Sequence, residues 1–263
     1  MAAKVFTVEK PLIGMIHLNP LAGSVRYRQQ GRKPILDAAL ADLYALESGG
    51  VDAVIVENMG DAPFGKTAPP ETVAMMAVIV ERLVEKAHVP IGVNVLRNDG
   101  LAALSIAAAT GATFMRVNVF TGVAFADQGT IEGMARELLQ LRRDIGADVK
   151  VLADVHVKHA AHLTRIEEAA IDAERNGPDG LIVSGIGSGR RTDPEHLAGV
   201  KSVVDLPVFV GSGLRIDNLG TYREADGFIA GTVFKENGVI TGSIDVEKVK
   251  ALSDAVASLR EKA

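Results

Sequence analysis

The stretch NGPDGLIVSGIGSGRRTDPEHL, residues 176–197, contains one complete structural repeat of this chain. Gly177 is typical of the end of a helix, and the apolar run after it predicts a strand over residues 180–184. A glycine-rich turn follows. Asp193 before Pro194 is then typical of the N-cap and first turn of a new helix. The order is helix, strand, glycine turn, helix, which is the unit of an α/β fold with parallel strands.

The same unit recurs along the 263 residues, for example in GGVDAV (49–54) and TGATF (110–114). Short apolar runs predict eight strands, at residues 12–17, 52–57, 91–96, 113–119, 149–155, 180–184, 208–211 and 227–231. Most of these runs are apolar on both faces, which is typical of parallel strands covered by helices.

Helical patterns fill the intervals between these strands. They predict helices at residues 33–48, 70–87, 99–110, 131–145, 163–175, 194–204, 216–223 and 245–261. Eight strand–helix units in a chain of this length predict a single (β/α)8 TIM barrel domain over residues 1–263. An open doubly wound sheet is the structural alternative.

The composition fits a globular protein with a sizeable core, at 48% hydrophobic and 23% charged residues. The net charge is −5 and no basic block is present, so neither nucleic acid nor an anionic membrane surface is expected as a partner. The chain has no cysteine, and residues 1–9 lack a signal-peptide pattern. We therefore expect a cytoplasmic protein with at most peripheral membrane association, and a homo-oligomer remains open.

Glycine-rich turns follow the last three predicted strands: SGIGSGRRT (184–192), VGSGLR (210–215) and IAGTVFK (229–235). Glycine lets backbone N–H groups approach an anion closely, and turns at these places commonly hold a phosphate in barrel enzymes. The predicted phosphate-binding residues are Gly211, Ser212, Gly213, Gly231 and Thr232, with Gly185 and Gly187 as a third wall. The alternative is that these glycines only make tight turns and close packing. A carboxylate ligand is also open.

Polar residues end the other strands. On the fourth strand, Arg116 and Asn118 alternate with apolar residues, and this predicts that both point into the barrel. The predicted catalytic residues are His17, Glu57, Asn94, Arg116, Asn118, Asp154 and Lys158. We expect Asp154 and Glu57 to act as acid and base. Arg116 and Lys158 would stabilise developing negative charge, and Lys158 has the further option of a Schiff base. Structurally, Arg116 has the simpler alternative of pairing with Glu57 or Asp154 to fill the barrel.

The loops 18–32, 58–69 and 120–130 are long and lie on the catalytic face, so we interpret them as lids or binding loops. These loops contain Asp61 and Lys66, which are further candidates for the site. Arg97, Asn98 and Asp99 follow the third strand and are also candidates. Asn98 or Asp99 is equally suited to be a helix N-cap.

Histidines 156, 159 and 162 raise the alternative of a metal-dependent hydrolase, but their spacing matches no standard metal motif. The chain has no P-loop, no complete dinucleotide fingerprint and no nucleophile elbow. The prediction is therefore that no metal and no cofactor is used.

These residues together resemble the BtpA/SgcQ family, and the BtpA branch more than the SgcQ branch. The matching blocks are IGMIHLNPLAGSVRY, GGVDAVIVENMGDAPF, GVNVLRND, FMRVNVFTG, DQGTIEG, LADVHVKHA, DGLIVSG, GSGLRIDN and DGFIAGTVFK. Residues 19–23 depart from the more proline-rich stretch of many relatives. The phosphate turns are also similar to those of the tryptophan synthase α subunit, as a fold-level analogy.

The resemblance implies a ribulose-phosphate-binding barrel and two different functions. One is photosystem I biogenesis or stability, and the other is a nucleosidase-like or sugar-metabolism activity. From this resemblance and the polar strand ends, we expect an enzyme that acts on a phosphorylated sugar or nucleoside-like small molecule by acid/base chemistry. Lyase, isomerase and nucleosidase reactions stay open, and a non-catalytic photosystem I biogenesis factor is the alternative.

Overall fold

The computed structural model describes residues 5–185, 187 and 189–261. Residues 186 and 188 of the predicted SGIGSGRRT turn lie outside this range. The strands are β1 (Leu12–His17), β2 (Ala53–Glu57), β3 (Ile91–Asn94), β4 (Phe114–Val117), β5 (Val123–Ala126), β6 (Gly129–Glu132), β7 (Lys150–Val155), β8 (Ala160–His162), β9 (Gly180–Val183), β10 (Val208–Val210) and β11 (Gly227–Ala230).

Eight of these strands form a closed parallel barrel in the order β1-β11-β10-β9-β7-β4-β3-β2. The ring closes where β11 pairs with β1 and β1 pairs with β2. Each barrel strand lies within one predicted strand. The prediction of a closed (β/α)8 barrel is therefore confirmed, and the open sheet is excluded.

The α-helices are α1 (Arg32–Ser48), α2 (Pro70–Lys86), α3 (Gly100–Thr110), α4 (Ala135–Asp144), α5 (Ile166–Arg175), α6 (Pro194–Lys201) and α7 (Val246–Arg260). None of the described helices combines the length and apolar character needed to cross a membrane. The segment Ile216–Tyr222 is a 3-10 helix instead of the predicted α-helix. Its Asn218 accepts a hydrogen bond from the Arg215 backbone and donates one to the Gly213 carbonyl, so the segment is tied to the glycine turn before it.

A small antiparallel sheet, in the order β6-β5-β8, is an element that the sequence did not predict. The predicted loop 120–130 contains β5 and the first residues of β6. The predicted helix 131–145 was wrong at its start, because Ile131 pairs with Ala124 in this sheet. Ile131 is buried there against Val119 and Val157. Burial in the sheet thus replaces a first helical turn, and α4 begins four residues later.

The interior of the barrel is filled by apolar side chains at its N-terminal end. This inner layer consists of Ile13, Met15, Ala53, Ile55, Phe114, Leu152, Ile182, Phe209 and Ile229. Phe6 closes the layer from below, with its ring centroid 5.1 Å from Phe114 and 5.9 Å from Phe209 in edge-to-face geometry. The polar strand ends therefore lie at the opposite, C-terminal end, where barrel enzymes carry their active sites.

Candidate active site

Two adjoining cavities, of about 750 and 1030 Å³, open at the C-terminal ends of the barrel strands. Six side chains line both of them: His17, Glu57, Met59, Arg116, Lys158 and Lys235. The first cavity extends toward α1 and residues 240–244, and the second extends toward the glycine turns after β10 and β11. The structure therefore brings the two halves of the predicted site to one place.

Arg116 and Asp154 form a buried ion pair. The Arg116 Nε donates to Asp154 Oδ2 at 3.1 Å, and Nη2 donates to both carboxylate oxygens at 3.0 Å. Asn118 Nδ2 donates to the same Oδ2 at 2.7 Å, and its own Oδ1 accepts from Asn94 Nδ2 at 3.2 Å. Among the described residues, Arg116 lines both cavities and Asn118 lines the first, whereas Asp154 and Asn94 line neither.

Glu57 differs from Asp154 because no hydrogen bond reaches its carboxylate from the described residues. Burial raises the pKa of Glu57, and the charge of Arg116 opposes that rise. His17 Nε2 lies 3.9 Å from Glu57 Oε1, which is too long for a hydrogen bond. Burial and the charges of Lys235, Lys158 and Arg116 lower the pKa of His17 to about 3. His17 is therefore neutral near pH 7 and does not form an ion pair with Glu57.

Lys158 follows β7 and is half-buried in the wall of both cavities, which Glu57 and Arg116 also line. Its amine makes no hydrogen bond or ion pair with any described residue. Its carbonyl oxygen accepts from Arg97 Nη2 at 2.6 Å. Burial and the charge of Arg116 lower the pKa of the Lys158 amine. Burial also lowers the pKa of Arg97, so this wall holds cations that an anion would stabilise.

Lys235 and Asp42 form a second buried pair that the sequence analysis missed. Lys235 Nζ donates to Asp42 Oδ2 at 2.6 Å, and both side chains line the first cavity. Burial raises the pKa of Asp42, and the hydrogen bond from Lys235 opposes it. Lys235 ends the quoted segment IAGTVFK, which was a usable signal. Asp42 lies in the middle of α1, where nothing in the sequence points to the barrel.

The turn after β10 packs tightly against the turn after β9. Gly213 has φ +65°, and a Cβ atom at Gly213 or Gly185 would overlap the carbonyl oxygen of Arg190. Ser212 Oγ donates to the carbonyls of Gly187 (3.1 Å) and Arg190 (3.0 Å). The close-packing interpretation thus accounts for these glycines and occupies the Ser212 hydroxyl.

Several backbone N–H groups in the turns after β10 and β11 nevertheless remain available to a ligand. Within the described part of the chain, the N–H groups of Ser212, Gly213, Thr232 and Val233 donate no hydrogen bond. All four residues line the second cavity, and Gly231 lies against His17. Such unsatisfied donors at the edge of a cavity are the usual groups that receive an anion.

The other polar candidates have structural partners. Asp61 accepts hydrogen bonds from the Leu21 backbone (2.7 Å) and Asn58 (3.0 Å), which fixes loop 18–32. Asp99 is the N-cap of α3, as one of the two alternatives predicted. Asn98 donates to the carbonyl of Val119 at 3.0 Å, and Lys66 is exposed outside both cavities.

The three histidines do not converge. The rings of His156 and His162 stack with centroids 4.3 Å apart and planes 11° apart, while His159 lies near Gly187. Burial lowers the pKa of His156 to about 4. No group of three metal-ligating side chains occurs among the residues that the structure describes.

The closed parallel barrel, with its cavities at the C-terminal ends of the strands, is a TIM barrel. The model of the BtpA family matches residues 8–258. This chain therefore belongs to the BtpA family, which confirms the resemblance found in the sequence.

Relatives match the chain over nearly its whole length. A protein of Thermococcus kodakarensis with no assigned function is 48% identical, over 96% of this chain and 97% of that protein. The photosystem I biogenesis protein BtpA of Synechocystis is 43% identical (96% and 90% covered). The sgc region protein SgcQ of Escherichia coli is 36% identical (98% and 98%). The higher identity to BtpA agrees with the predicted branch.

Solved structures support the fold. The 3-hexulose-6-phosphate synthase of Salmonella typhimurium has a TM-score of 0.62 at 13% identity, over 95% of this chain and 99% of that chain. Tryptophan synthase of Mycobacterium tuberculosis has a TM-score of 0.59 at 20% identity, over 95% and 92%. At these identities the likeness shows a common barrel fold and carries no statement about activity.

Proposed function

We propose that this protein binds a small phosphate ester in the second cavity and catalyses acid/base chemistry on it with Glu57. One observation carries the proposal: a buried carboxyl without a hydrogen-bonding partner faces the same cavity as four unsatisfied backbone N–H groups. The N–H groups suit a phosphate, and the carboxyl suits proton transfer. Burial raises the pKa of Glu57 above its ordinary value, which favours a group that both gives and takes a proton.

The remaining residues have supporting roles in this proposal. Lys158, Arg97 and Arg116 stabilise negative charge that develops on the substrate. Asp154 holds the Arg116 guanidinium in place through its two-pronged contact, and Asn118 and Asn94 complete that support. The sequence suggested both Asp154 and Glu57 as acid and base. Here we assign proton transfer to Glu57 alone, because the Asp154 oxygens already accept hydrogen bonds from Arg116 and Asn118.

The substrate class is a phosphorylated sugar or nucleoside-like molecule. This rests on the barrel type, which is shared with 3-hexulose-6-phosphate synthase and with phosphoribosyl anthranilate isomerase. Both names denote proteins that act on phosphorylated sugars. Lyase, isomerase and nucleosidase chemistry all fit a carboxyl base beside several cations.

The proposal is tested with ribose 5-phosphate and a panel of related sugar phosphates and nucleoside monophosphates. Binding is measured by calorimetry, and turnover is followed by NMR in D2O, where proton abstraction from carbon appears as deuterium incorporation. We expect Glu57→Gln to keep binding and to lose turnover by about 10²–10⁴-fold. Glu81→Gln, on an exposed face of α2, is the matched control and should leave both unchanged.

Two results would contradict the proposal. One is a Glu57→Gln variant that turns over as fast as the parent. The other is the absence of binding to every phosphate ester of the panel and to inorganic phosphate at millimolar concentration.

A second candidate function is a non-catalytic role in photosystem I biogenesis. The 43% identity to the photosystem I biogenesis protein BtpA of Synechocystis favours it. An apolar patch on the small sheet offers a contact surface outside the cavity. Phe125 on β5 is 44% exposed and Leu163 after β8 is 81% exposed. In this case, Glu57→Gln would keep the biological function in a complementation assay, whereas Phe125→Ser with Leu163→Ser would lose it.

A further inference from the structure

We propose that Lys158 forms an imine with a carbonyl group of the bound phosphate ester, so that the substrate is an open-chain phosphorylated aldehyde or ketone. This inference rests on the proposed function, because the phosphate would anchor the carbonyl group next to the amine. It adds a covalent step and a substrate class to the acid/base role of Glu57.

The Lys158 amine is positioned to react with a bound ligand. The other cations at the centre of the site have partners: Arg116 pairs with Asp154, Lys235 pairs with Asp42, and Arg97 donates to the Lys158 carbonyl. Within the described residues, the Lys158 amine has none, and its side chain lines both cavities. An amine that served only to complete the packing would be expected to be hydrogen-bonded, as Lys235 is.

The surroundings of Lys158 also favour the neutral form of its amine. Only a neutral amine attacks a carbonyl carbon, and a lysine becomes competent when burial and neighbouring cations favour that form. Burial and the Arg116 charge act in this direction on the pKa of Lys158, against the attraction of Glu57 and Asp154. Exposed Lys66 lies outside both cavities and lacks this environment.

The carboxyl of Glu57 lines the same cavities as the Lys158 amine and can supply the proton that imine formation needs. The Lys158 nitrogen attacks the carbonyl carbon, the electron pair of the C=O bond moves to oxygen, and a proton passes from the nitrogen to that oxygen to give a neutral carbinolamine. Protonated Glu57 then donates its proton to the hydroxyl group, which leaves as water while the C=N bond forms. Glu57 ends as a carboxylate, ready to remove a proton from the adjacent carbon. Overall, the amine, the carbonyl group and protonated Glu57 give a protonated imine, one water and the Glu57 carboxylate.

The experiment uses the full chain with glyceraldehyde 3-phosphate as the probe and sodium borohydride as the reductant. Borohydride reduces an imine to a stable secondary amine, so the protein mass rises by the mass of the probe less one oxygen atom. We expect peptide mapping to find this label at Lys158 at least about tenfold more than at Lys66, and inorganic phosphate to suppress it. This is the preference expected for a half-buried amine of lowered pKa at a ligand site.

Two variants separate nucleophile from charge. Lys158→Arg keeps a cation but forms no imine, so it should still bind the probe in calorimetry while losing the label. Lys66→Arg is the matched control and should keep both. Circular dichroism melting of each variant confirms that it is folded before labelling is compared.

The outcomes distinguish this inference from the proposal beneath it. If the probe binds but its label is spread evenly over surface lysines, the imine is overturned and the phosphate site stands. If neither the probe nor inorganic phosphate binds to the folded parent protein, the proposed function itself fails. Label concentrated at Lys158, lost in Lys158→Arg and suppressed by phosphate, supports both.

Discussion

Replacing Asp154 with asparagine would test whether the buried pair holds the site together. Asparagine keeps the size and shape of the side chain but removes its charge. In the structure, Asp154 accepts three contacts from Arg116 and one from Asn118. The Arg116 and Asp154 side chains are 2% and 0% exposed. The variant therefore leaves a buried guanidinium without its hydrogen-bonded counter-charge.

The expected loss follows from that isolation. Removing one partner of a buried ion pair costs about 3–5 kcal/mol, because the remaining charge is uncompensated. With an unfolding entropy of about 2.1 cal/mol/K per residue, the 263 residues have about 0.55 kcal/mol/K, so Tm should fall by about 5–9 °C. Urea unfolding followed by circular dichroism, with calorimetric melting, measures both quantities.

An exposed pair provides the control. Asp148 lies 2.9 Å from Lys150, and its side chain is 92% exposed. Surface pairs of this kind contribute about 0–1 kcal/mol, so Asp148→Asn should leave Tm almost unchanged. The double variant Asp154→Leu with Arg116→Met removes both charges. It should be more stable than Asp154→Asn, since replacing a whole buried pair by apolar groups is often neutral or favourable.

The reasoning would be refuted by an Asp154→Asn variant within about 1 kcal/mol of the parent protein, which is the range of an exposed pair. It would also be refuted if the double variant lost as much stability as Asp154→Asn and Arg116→Met lose in sum, because the two charges would then be energetically independent.

Two further predictions concern stability. Gly213→Ala should destabilise the protein by more than Gly122→Ala, for which about 1 kcal/mol or more is expected. Both glycines have positive φ, but only at Gly213 would the new methyl group overlap a carbonyl oxygen; equal urea midpoints would remove that argument. Between pH 6.5 and about 3, His17 binds a proton in the unfolded state but not in the folded state, so the free energy of unfolding falls as the pH is lowered. The variant His17→Gln should make this fall less steep. That fall is at most about 1.4 kcal/mol per pH unit, and an unchanged slope would contradict the lowered pKa.

The barrel was predictable because each unit carries its own signals. A glycine ends the helix, an apolar run makes the strand, and the periods of the two elements differ. Errors of one or two residues occur at strand ends. The predicted strand 91–96 stops at Asn94, although Val95 and Leu96 remain buried. An apolar sequence indicates that side chains are buried, but it does not show where the backbone hydrogen bonds of a strand end. At the C-terminal end of this barrel, side chains remain buried beyond the last strand residue.

The small sheet was not predictable at the same level. Its strands have three or four residues, and so short an alternation is seldom distinguishable from a loop. Gly129, with φ +87° at the hairpin turn, is the local signal that was available. The third strand, β8, joins from some thirty residues further on, and the sequence gives no indication of that long-range pairing.

The residues at the rim were predictable, but their partners were not. Alternation along β4 placed Arg116 inside the barrel, as the structure confirms. Its choice of Asp154 over Glu57 follows from strand neighbours. Because β4 pairs with β7 in the register Arg116 to Leu152, Asp154 lies two residues ahead on the same face. Glu57 belongs to β2, one strand further away in the ring. The pair of Lys235 and Asp42 joins a loop to a helix, which no periodicity relates.

The pairing of charges at the rim favours a catalytic interpretation over a passive one. A barrel that only needed filling would be as stable, or more stable, with apolar groups in place of its buried pairs. Here Asp154 and Asp42 each neutralise one cation, while Glu57 and Lys158 face the cavity without hydrogen bonds from the described residues. Leaving a buried carboxyl and a half-buried amine without hydrogen-bonding partners costs stability that packing does not return. Such a cost is typical of groups whose partner is a substrate, since a bound ligand supplies the missing contacts only when it arrives.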